Sequence, residues 1–115
     1  MADHCIFCKI INKKLPAKLV HEDDQLIVFM DINPQAPSHM LIVPKIHINS
    51  LNELQPEHAQ LLGHAVFVAK DIAKEWGIAD GGWRLVANCG DDAGQSVYHV
   101  HFHMLGGKQM SGHMA

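Results

Sequence analysis

The sequence predicts an α+β domain, with a five-stranded antiparallel sheet, a short N-terminal helix and a long central helix. Apolar segments of strand length, separated by turn residues, lie on both sides of one long run with helical periodicity. These strands do not alternate regularly with helices, which argues against a parallel sheet of repeated β-α-β units. A length of 115 residues suits one domain, so residues 1–115 are assigned to a single domain in which residues 106–115 form a loose tail.

The N-terminal half is predicted to contain one short helix and three strands. Apolar residues recur at helical spacing over residues 5–13, and a Leu-Pro pair stops the helix soon afterwards. Residues 18–22 and 25–32 are rich in strand formers and are separated by an acidic turn, which predicts a hairpin. A loop with two prolines leads to a third apolar strand over residues 39–44, which completes an antiparallel meander.

The C-terminal half is predicted to contain the long helix and two more strands. The helix is expected over residues 56–76, since Pro56 suits a first helical turn and Gly77 suits a C-terminal stop. Strands are expected over residues 83–88 and 97–105, joined by a glycine-bearing connection. The helix presents one apolar stripe, formed by Leu61, Leu62, Ala65, Val68, Ala69, Ile72 and Trp76.

Composition argues against several classes of protein. The net charge is -3 and the nine basic residues are dispersed, so neither nucleic acid nor an anionic membrane is an expected partner. The N-terminus lacks the apolar core of a signal peptide, and no segment approaches the roughly 20 apolar residues that span a bilayer. We therefore expect a soluble cytoplasmic protein. The three cysteines do not suit a secreted disulfide framework and fit reduced thiols or a metal site better.

Three histidines alternate with apolar residues in the segment YHVHFHMLGG, at His99, His101 and His103. In a strand, side chains two residues apart share one face at a spacing of roughly 6.6 Å, so the three imidazoles would line one side. The intervening apolar residues would be buried on the other side; they are Val100, Phe102 and Met104. Polar residues on a solvated strand face alternate in the same way, but three histidines in register beside a glycine-rich turn favour a functional site.

The chemistry of imidazole suggests what such a row can do. Its ordinary pKa of about 6.5 allows it to act as a nucleophile, a base or a phosphate partner near neutral pH. A metal needs ligands that converge on one point, whereas a phosphate tolerates ligands spread along a strand. One imidazole attacking phosphorus, with its neighbours orienting it and neutralising the oxygens, is the hypothesis that this pattern favours.

The motif HVHFHML, with the Gly94-Gln95-Ser96 that precedes it, resembles the histidine triad (HIT) superfamily. The segments IFCKIINKKLPAKLVHEDD and FMDINPQAPSHMLIVPKIHI are also similar to that superfamily, so the resemblance covers nearly the whole chain. After the triad, GGKQM is similar to the Hint branch of nucleotide-binding phosphoramidases. Diadenosine-polyphosphate hydrolases of the superfamily have Pro-Arg there instead.

The resemblance implies a hydrolase that cleaves the P–N bond of purine nucleoside phosphoramidates through a nucleotidyl-histidine, with no cofactor required for catalysis. His101 matches the nucleophile, His103 the residue that contacts the phosphate oxygens, and His99 the residue that orients His101. Ser96 matches a residue that helps to protonate the leaving amine. His39 matches a histidine behind the triad and is included among the catalytic residues.

The resemblance also implies a nucleotide-binding set. Asp31 matches the carboxylate that accepts hydrogen bonds from the ribose hydroxyls, and Asn88 matches a residue on the ribose-phosphate side. The phosphate site would comprise Gly94, Gln95, Ser96, His101 and His103. The pocket around the purine would comprise Phe7, Ile10, Leu15, Phe29 and Ile32, each of which also suits an ordinary core position.

The spacing Cys5-x-x-Cys8 suits two ligands of one tetrahedral Zn²⁺. Redox use is disfavoured because no β-α-β context surrounds the pair, but two half-buried thiols on a short helix would give the same pattern. Some HIT members have this pair in a zinc site, and the resemblance to them implies His47 and His99 as the remaining ligands. The metal would be structural.

Hint-like proteins are homodimers whose two sheets form one of ten strands, which implies the same assembly here with the long helix at the interface. The expected partners are thus a second copy and a purine nucleotide or nucleoside phosphoramidate. One alternative is a dinucleoside polyphosphate hydrolase or nucleotidyltransferase of the same superfamily. Another is a non-catalytic nucleotide-binding or zinc-binding interaction module. The tail lacks the tryptophan of many Hint proteins, so the choice of leaving amine stays open.

Overall fold

A five-stranded antiparallel sheet forms the centre of the computed structural model, which describes residues 4–112. The strand order is β1-β2-β3-β5-β4, so the last strand lies between the third and the fourth. In chain order the elements are α1 (Ile6–Ile11), β1 (Leu19–Glu22), β2 (Leu26–Met30), β3 (Ser38–Pro44), α2 (Ala59–Glu75), β4 (Trp83–Val86) and β5 (Phe102–Gly106). The predicted α+β class, with its hairpin, meander and two helices, is confirmed.

The long helix begins three residues later than the prediction. Pro56–His58 form a 3-10 turn in front of α2, and a capping box between Gln55 and His58 satisfies backbone donors at this end. Within the predicted apolar stripe, Trp76 is exposed and Leu62 is half-buried, whereas Ala73 is buried. The core-facing side of α2 is therefore shifted slightly from the predicted one.

The strand predicted over residues 97–105 was wrong in its first half, because β5 begins only at Phe102. The β3–β5 ladder reaches the pair Ile42 and Phe102, and its register would next place Val100 opposite Pro44. The Pro44 carbonyl faces this edge, where it accepts a hydrogen bond from His99. The Pro44 nitrogen lies on the same edge and has no hydrogen to donate, so the ladder cannot continue. The Val100 amide instead donates to the Ile48 carbonyl at 2.7 Å.

The sheet separates two apolar cores, one under α2 and one under α1. The α2 core includes Leu26, Val28, Met40, Ile42, Ala69, Ile72, Val100 and Met104. The α1 core consists of Cys5, Phe7, Cys8, Ile10, Ile27, Phe29, Leu41 and Val43. Because β2 and β3 are covered on both faces, β2 and residues 40–44 of β3 form apolar runs rather than alternating, and the first two residues of β3, Ser38 and His39, are buried polar side chains.

Two contacts join the C-terminal end of the described chain to the rest of the domain. Gly106 ends β5 and is buried against Ile78, where a Cβ atom would lie 2.6 Å from the Ile78 Cδ1 atom. The Arg84 guanidinium donates to the Ser111 carbonyl at 2.7 Å. Residues 113–115 of the predicted tail lie outside the described residues. No helix within residues 4–112 is long and apolar enough to cross a bilayer.

Asp23 connects the β1–β2 turn to the long helix. Its Oδ1 accepts the main-chain amides of Gln25 and Leu26, and its Oδ2 accepts hydrogen bonds from His21 and His64 at 2.7 and 2.8 Å. Burial alone would raise the pKa of this carboxyl, but the four donors outweigh burial and hold the pKa below its usual range. The ionised form of Asp23 therefore stabilises the fold.

Replacing Asp23 with alanine should lower the free energy of unfolding by about 2 kcal/mol near neutral pH, because two amides and two imidazoles lose a charged acceptor. A depressed native pKa contributes stability above the unfolded value, which is about 3.9 for aspartate, and loses it as the pH falls. The difference between wild type and Asp23→Ala should thus shrink between about pH 5 and pH 2. Chemical denaturation at several pH values measures it.

Asp24→Ala is the matched control, since Asp24 is an exposed carboxylate in the same turn. Its effect should stay within about 0.5 kcal/mol, as is usual for an exposed position. Equal losses for the two variants, or a loss at Asp23 that does not change with pH, would contradict this account of the turn.

Candidate active site and metal-binding cluster

The three alternating histidines lie on one side of the sheet although only His103 is in β5. The Phe7 ring of α1 packs edge-on against His99 and His101, with ring centroids 6.0 and 5.0 Å apart, and the rings of His101 and His103 are 5.2 Å apart. Val100 and Met104 lie in the α2 core on the other side, and Phe102 packs against it. The predicted division into a histidine face and an apolar face is confirmed.

His99 is fully buried and has its two ring nitrogens in different environments. Its Nε2 lies 2.7 Å from the Pro44 carbonyl, which can only accept, so Nε2 carries the hydrogen. Its Nδ1 then has the lone pair, and it faces the sulfur atoms of Cys5 and Cys8 at 3.3 and 3.6 Å. Burial lowers the pKa of His99 to about 4, so the ring is neutral at physiological pH.

His101 has the opposite tautomer. Its Nδ1 donates to the main-chain carbonyl of His99 at 2.7 Å, so the Nε2 atom carries the lone pair. The side chain is buried, and burial lowers the pKa of His101 and keeps the ring neutral. A neutral imidazole held by its Nδ1–H, with a lone pair at Nε2, has the form required of a nucleophile.

His39 and Asp31 accompany His103 at the end of the row. His39 Nε2 lies 3.0 Å from His103 Nδ1 and 3.3 Å from Asp31 Oδ2, while His39 Nδ1 accepts the Gln35 amide at 2.9 Å. Burial lowers the pKa of both histidines, more than the nearby carboxylate raises it. The structure therefore brings together three of the residues assigned to catalysis, His39, His101 and His103, with Asp31 beside them.

An apolar cleft of about 440 Å³ lies between α1 and the adjoining edge of the sheet. Its polar wall includes Asp31, which lies just beyond the end of β2. The apolar residues assigned to the purine pocket all line it: Phe7, Ile10, Leu15, Phe29 and Ile32. Phe7 and Phe29 also stack edge-on at 5.6 Å, so they support the α1 core as well as the cleft.

The 88–96 connection holds the remaining predicted residues. Asn88 is half-buried, Ser96 is exposed, and Gly94 has a left-handed backbone with φ of 81°, which favours glycine. Within residues 4–112, neither Asn88 nor Ser96 forms a hydrogen bond to the three imidazoles. Gln95 is buried and its amide is engaged in the connection itself, with the Gly90 amide and the carbonyls of Asn49 and Val97. These bonds tie the connection to the segment after β3 that contains Asn49.

Two thiols and two imidazoles form a second cluster beside the row. One ligand atom from each of Cys5, Cys8, His47 and His99 lies within 4.8 Å of the others. His47 Nε2 donates to Asn49 Oδ1 at 2.7 Å, so His47 Nδ1 offers its lone pair to Cys8 Sγ at 3.3 Å. A metal-binding histidine usually donates its other N–H in this way. Two sulfurs and two such nitrogens are the donor set of a structural zinc site.

Burial affects the protonation of the Cys8 thiol. Burial, together with the adjacent Cys5, raises the pKa of the Cys8 thiol to about 11. A buried thiolate here therefore requires a nearby cation, and a divalent metal supplies the charge that deprotonates a coordinating thiol. Without one, each thiol has an imidazole lone pair to which it can donate.

Three features of the site were not found from the sequence. The Pro44 carbonyl fixes His99, Asn49 fixes His47, and the Gln35 amide fixes His39. Two of these partners are main-chain atoms, which carry no side-chain signature. The position of Pro44 at the end of an apolar strand was the one available signal, because proline ends a ladder and leaves a free carbonyl.

Comparison with known proteins adds to this geometry. Residues 4–115 match the family described as "Scavenger mRNA decapping enzyme C-term binding". The chain is 46% identical over 110 residues to the purine nucleoside phosphoramidase of Escherichia coli (strain K12). The aligned region covers 96% of this chain and 92% of that protein. It is also 47% identical over 108 residues to the 14 kDa zinc-binding protein of Zea mays. That aligned region covers 92% of this chain and 84% of the other protein.

The fold also matches solved structures. The HIT family hydrolase from Legionella pneumophila Philadelphia 1 superposes with a TM-score of 0.93 and is 44% identical, covering 95% of this chain and 97% of that chain. Both the fold and the sequence are thus shared over nearly the full length.

Proposed function

Because the chain belongs to the Hint branch of the histidine triad superfamily, we propose that it hydrolyses the P–N bond of purine nucleoside phosphoramidates. The phosphoramidase of Escherichia coli, at 46% identity, supports this activity class. The observation that carries the proposal is the state of His101, a neutral ring fixed through Nδ1 with its lone pair at Nε2. Within residues 4–112, no side chain donates a hydrogen bond to that lone pair.

In the first step, the His101 Nε2 lone pair forms a bond to the α-phosphorus of the substrate. The P–N bond breaks, and its electron pair leaves with the amine, which takes up a proton. The histidine ring is then positively charged and keeps its Nδ1–H directed at the His99 carbonyl 2.7 Å away. That carbonyl dipole stabilises the charge of the nucleotidyl-histidine.

In the second step, water attacks the phosphorus and the bond to His101 breaks. The electron pair returns to Nε2, a proton from the water is released, and AMP leaves with the ring neutral again. His103 contacts the phosphate oxygens in both steps. The neutral resting form of His101 is maintained by its burial, so the enzyme need not lose a proton before the first step.

The cleft beside the row is proposed to hold the nucleoside. Phe7 and Phe29 offer apolar ring surface to a purine, and Asp31 lies where the cleft becomes polar. A carboxylate can accept hydrogen bonds from both ribose hydroxyls at once. The volume of about 440 Å³ lies within the range of small-ligand pockets.

The leaving amine is proposed to lie on the side of Ser96, whose hydroxyl would relay a proton to it. A second cleft, of about 690 Å³, shares Ile6 with the nucleoside cleft and has Ser96 and Tyr98 in its wall. The amine nitrogen leaves well only when it is protonated, so a nearby hydroxyl suits a P–N substrate. Gly94 and Asn88 complete the phosphate side of this proposal.

The proposed assembly is a homodimer with a continuous ten-stranded sheet. β4 is an edge strand, and its backbone is available for pairing with another copy. On α2, Val66 and Phe67 are apolar and exposed, Phe67 to 64%. Large exposed apolar side chains on one helix face are typical of a protein interface. The cytoplasm remains the proposed location.

The purified protein should release AMP from adenosine 5′-phosphoramidate faster than it cleaves diadenosine polyphosphates. His101→Ala should abolish turnover while retaining AMP binding, because the ring supplies the bond to phosphorus and the apolar cleft is unchanged. During turnover, the wild-type protein should gain the mass of one nucleotidyl group at His101, as measured by rapid-quench mass spectrometry.

His58→Ala is the control, since the His58 ring accepts the Gln55 amide in the turn before α2 and, within residues 4–112, forms no hydrogen bond to the triad; it should keep wild-type turnover. Faster cleavage of diadenosine polyphosphates would favour the hydrolase alternative of the same superfamily. AMP binding without hydrolysis of any phosphoramidate would favour a non-catalytic module. Hydrolysis by His101→Ala would reject His101 as the nucleophile.

We further propose that Cys5, Cys8, His47 and His99 hold a structural Zn²⁺. The tautomers of both histidines and the closeness of the four ligand atoms support this, as does the name of the Zea mays relative. Zinc would supply the positive charge that keeps the thiols ionised and would join α1 to the sheet. No step of the proposed hydrolysis passes through the metal.

Protein purified without chelators should contain about one zinc ion per chain, measured by inductively coupled plasma mass spectrometry. Cys8→Ser should contain close to none and should unfold at a lower temperature, because the cluster loses a thiolate and cannot hold the metal.

Cys89→Ser is the matched control, because Cys89 is a free cysteine outside the cluster. It should keep the wild-type zinc content and melting temperature. A wild-type protein without zinc, or equal zinc loss in both variants, would refute the metal site.

A further inference from the structure

His39 is buried, 3% exposed, and has partners on both ring nitrogens. Its Nδ1 faces the Gln35 main-chain amide at 2.9 Å. An amide N–H can only donate, so Nδ1 must carry the lone pair and Nε2 must carry the hydrogen. The tautomer of His39 is therefore set by a backbone group in the loop between β2 and β3.

The hydrogen on His39 Nε2 determines the tautomer of His103 in turn. His103 Nδ1 lies 3.0 Å from that nitrogen, so it faces an N–H and must itself be unprotonated. The remaining hydrogen of the His103 ring is then on Nε2, the nitrogen on the far side of the ring from His39. Burial lowers the pKa of both rings, which agrees with neutral forms of each.

We propose that His39 is a positioning residue. The Gln35 amide fixes the tautomer of His39, and the His39 Nε2–H fixes the tautomer of His103. His103 thereby presents a neutral N–H to the substrate phosphate. The identity of the phosphate ligand rests on the function proposed above, but the tautomers of His39 and His103 do not. A phosphate oxygen is an ionised acceptor, so its hydrogen bond to a neutral N–H is already charge-assisted and His103 need not be protonated to bind it.

Asp31 fits this arrangement. Its Oδ2 is 3.3 Å from His39 Nε2 and 4.0 Å from His103 Nδ1. The His39 hydrogen bond goes to His103 Nδ1, and the nearby Asp31 carboxylate attracts the positive end of the His39 N–H dipole. Asp31 thereby holds His39 in place without changing which nitrogen of His103 carries the hydrogen.

The same logic makes this group of residues a poor metal site. One ligand atom from each of Asp31, His39 and His103 lies within 4.8 Å of the others. A metal at His39 Nε2 would move the hydrogen to Nδ1, where it would point at the Gln35 N–H. Two donors would then face each other in a buried site, which is unfavourable. The cluster of Cys5, Cys8, His47 and His99 has no such conflict, so the proposal confines metal to that cluster.

Two substitutions of His39 test whether it sets the tautomer of His103. His39→Gln places an amide N–H near the position of Nε2 and keeps a donor for His103, whereas His39→Leu keeps an apolar volume and offers none. We expect kcat/KM for adenosine 5′-phosphoramidate to fall about tenfold or more in His39→Leu and to recover largely in His39→Gln. Melting temperatures of the two variants identify any loss that comes from unfolding.

The second readout is the ¹⁵N spectrum of the histidine rings in the protein without substrate, which reports the tautomer of each ring. Wild type and His39→Gln should show His103 with hydrogen on Nε2, and His39→Leu should show a mixture that includes the Nδ1–H form. A wild-type His103 with hydrogen on Nδ1 would overturn the proposal, as would a folded His39→Gln no more active than His39→Leu. If the protein shows the expected tautomers but cleaves no phosphoramidate, the proposed function is rejected and the role of His39 in setting the His103 tautomer is retained.

Discussion

The function proposed for this protein depends on one hydrogen bond, from His101 Nδ1 to the main-chain carbonyl of His99 at 2.7 Å. This bond fixes the His101 ring and leaves the lone pair of the ring at Nε2. The His99 carbonyl also lies next to the positive charge that a nucleotidyl-histidine would develop. The bond is made possible by Pro44, which cannot continue the ladder to β5. Residues 97–101 leave the sheet there, and the His99 carbonyl becomes available to a side chain two residues later.

Main-chain groups set the tautomers along the whole row. Pro44 fixes His99, His99 fixes His101, and the Gln35 amide acts on His103 through His39. Three imidazoles with the same ordinary pKa thereby differ: His99 presents a lone pair to the thiol cluster, His101 a lone pair at Nε2, and His103 an N–H donor. A buried ring that could exchange tautomers freely would spend part of its time in the wrong form. Backbone partners remove that freedom without adding a charged residue to the site.

His99 also joins the two clusters. Its ring faces Cys5 and Cys8 and its carbonyl faces His101, so one residue contacts both the thiols and the proposed nucleophile. The Phe7 ring lies against both His99 and His101, so α1 packs directly on these two rings. The short N-terminal helix therefore contributes to the cleft, the thiol cluster and the packing of the row.

Side-chain patterns predicted most of the fold, and the resemblance to the HIT superfamily implied the members of both clusters. Alternation in HVHFHML gave the correct faces, and the Cys-x-x-Cys spacing with the resemblance gave the four donors that the structure brings together. The strand over residues 97–101 was wrong because alternation does not reveal that Pro44 interrupts its partner. The resemblance assigns Gln95 to the phosphate site, which stays a prediction; the structure adds that its amide bonds the Gly90 amide and the Asn49 carbonyl. The contacts of Gln35, Asn49 and Pro44 depend on tertiary positions that no local pattern encodes.

Neutron diffraction from a deuterium-exchanged crystal tests the central hydrogen bond most directly. The account predicts deuterium density on His101 Nδ1, directed at the His99 carbonyl, and none on His101 Nε2. Deuterium on Nε2, with Nδ1 bare or turned away from that carbonyl, would contradict it.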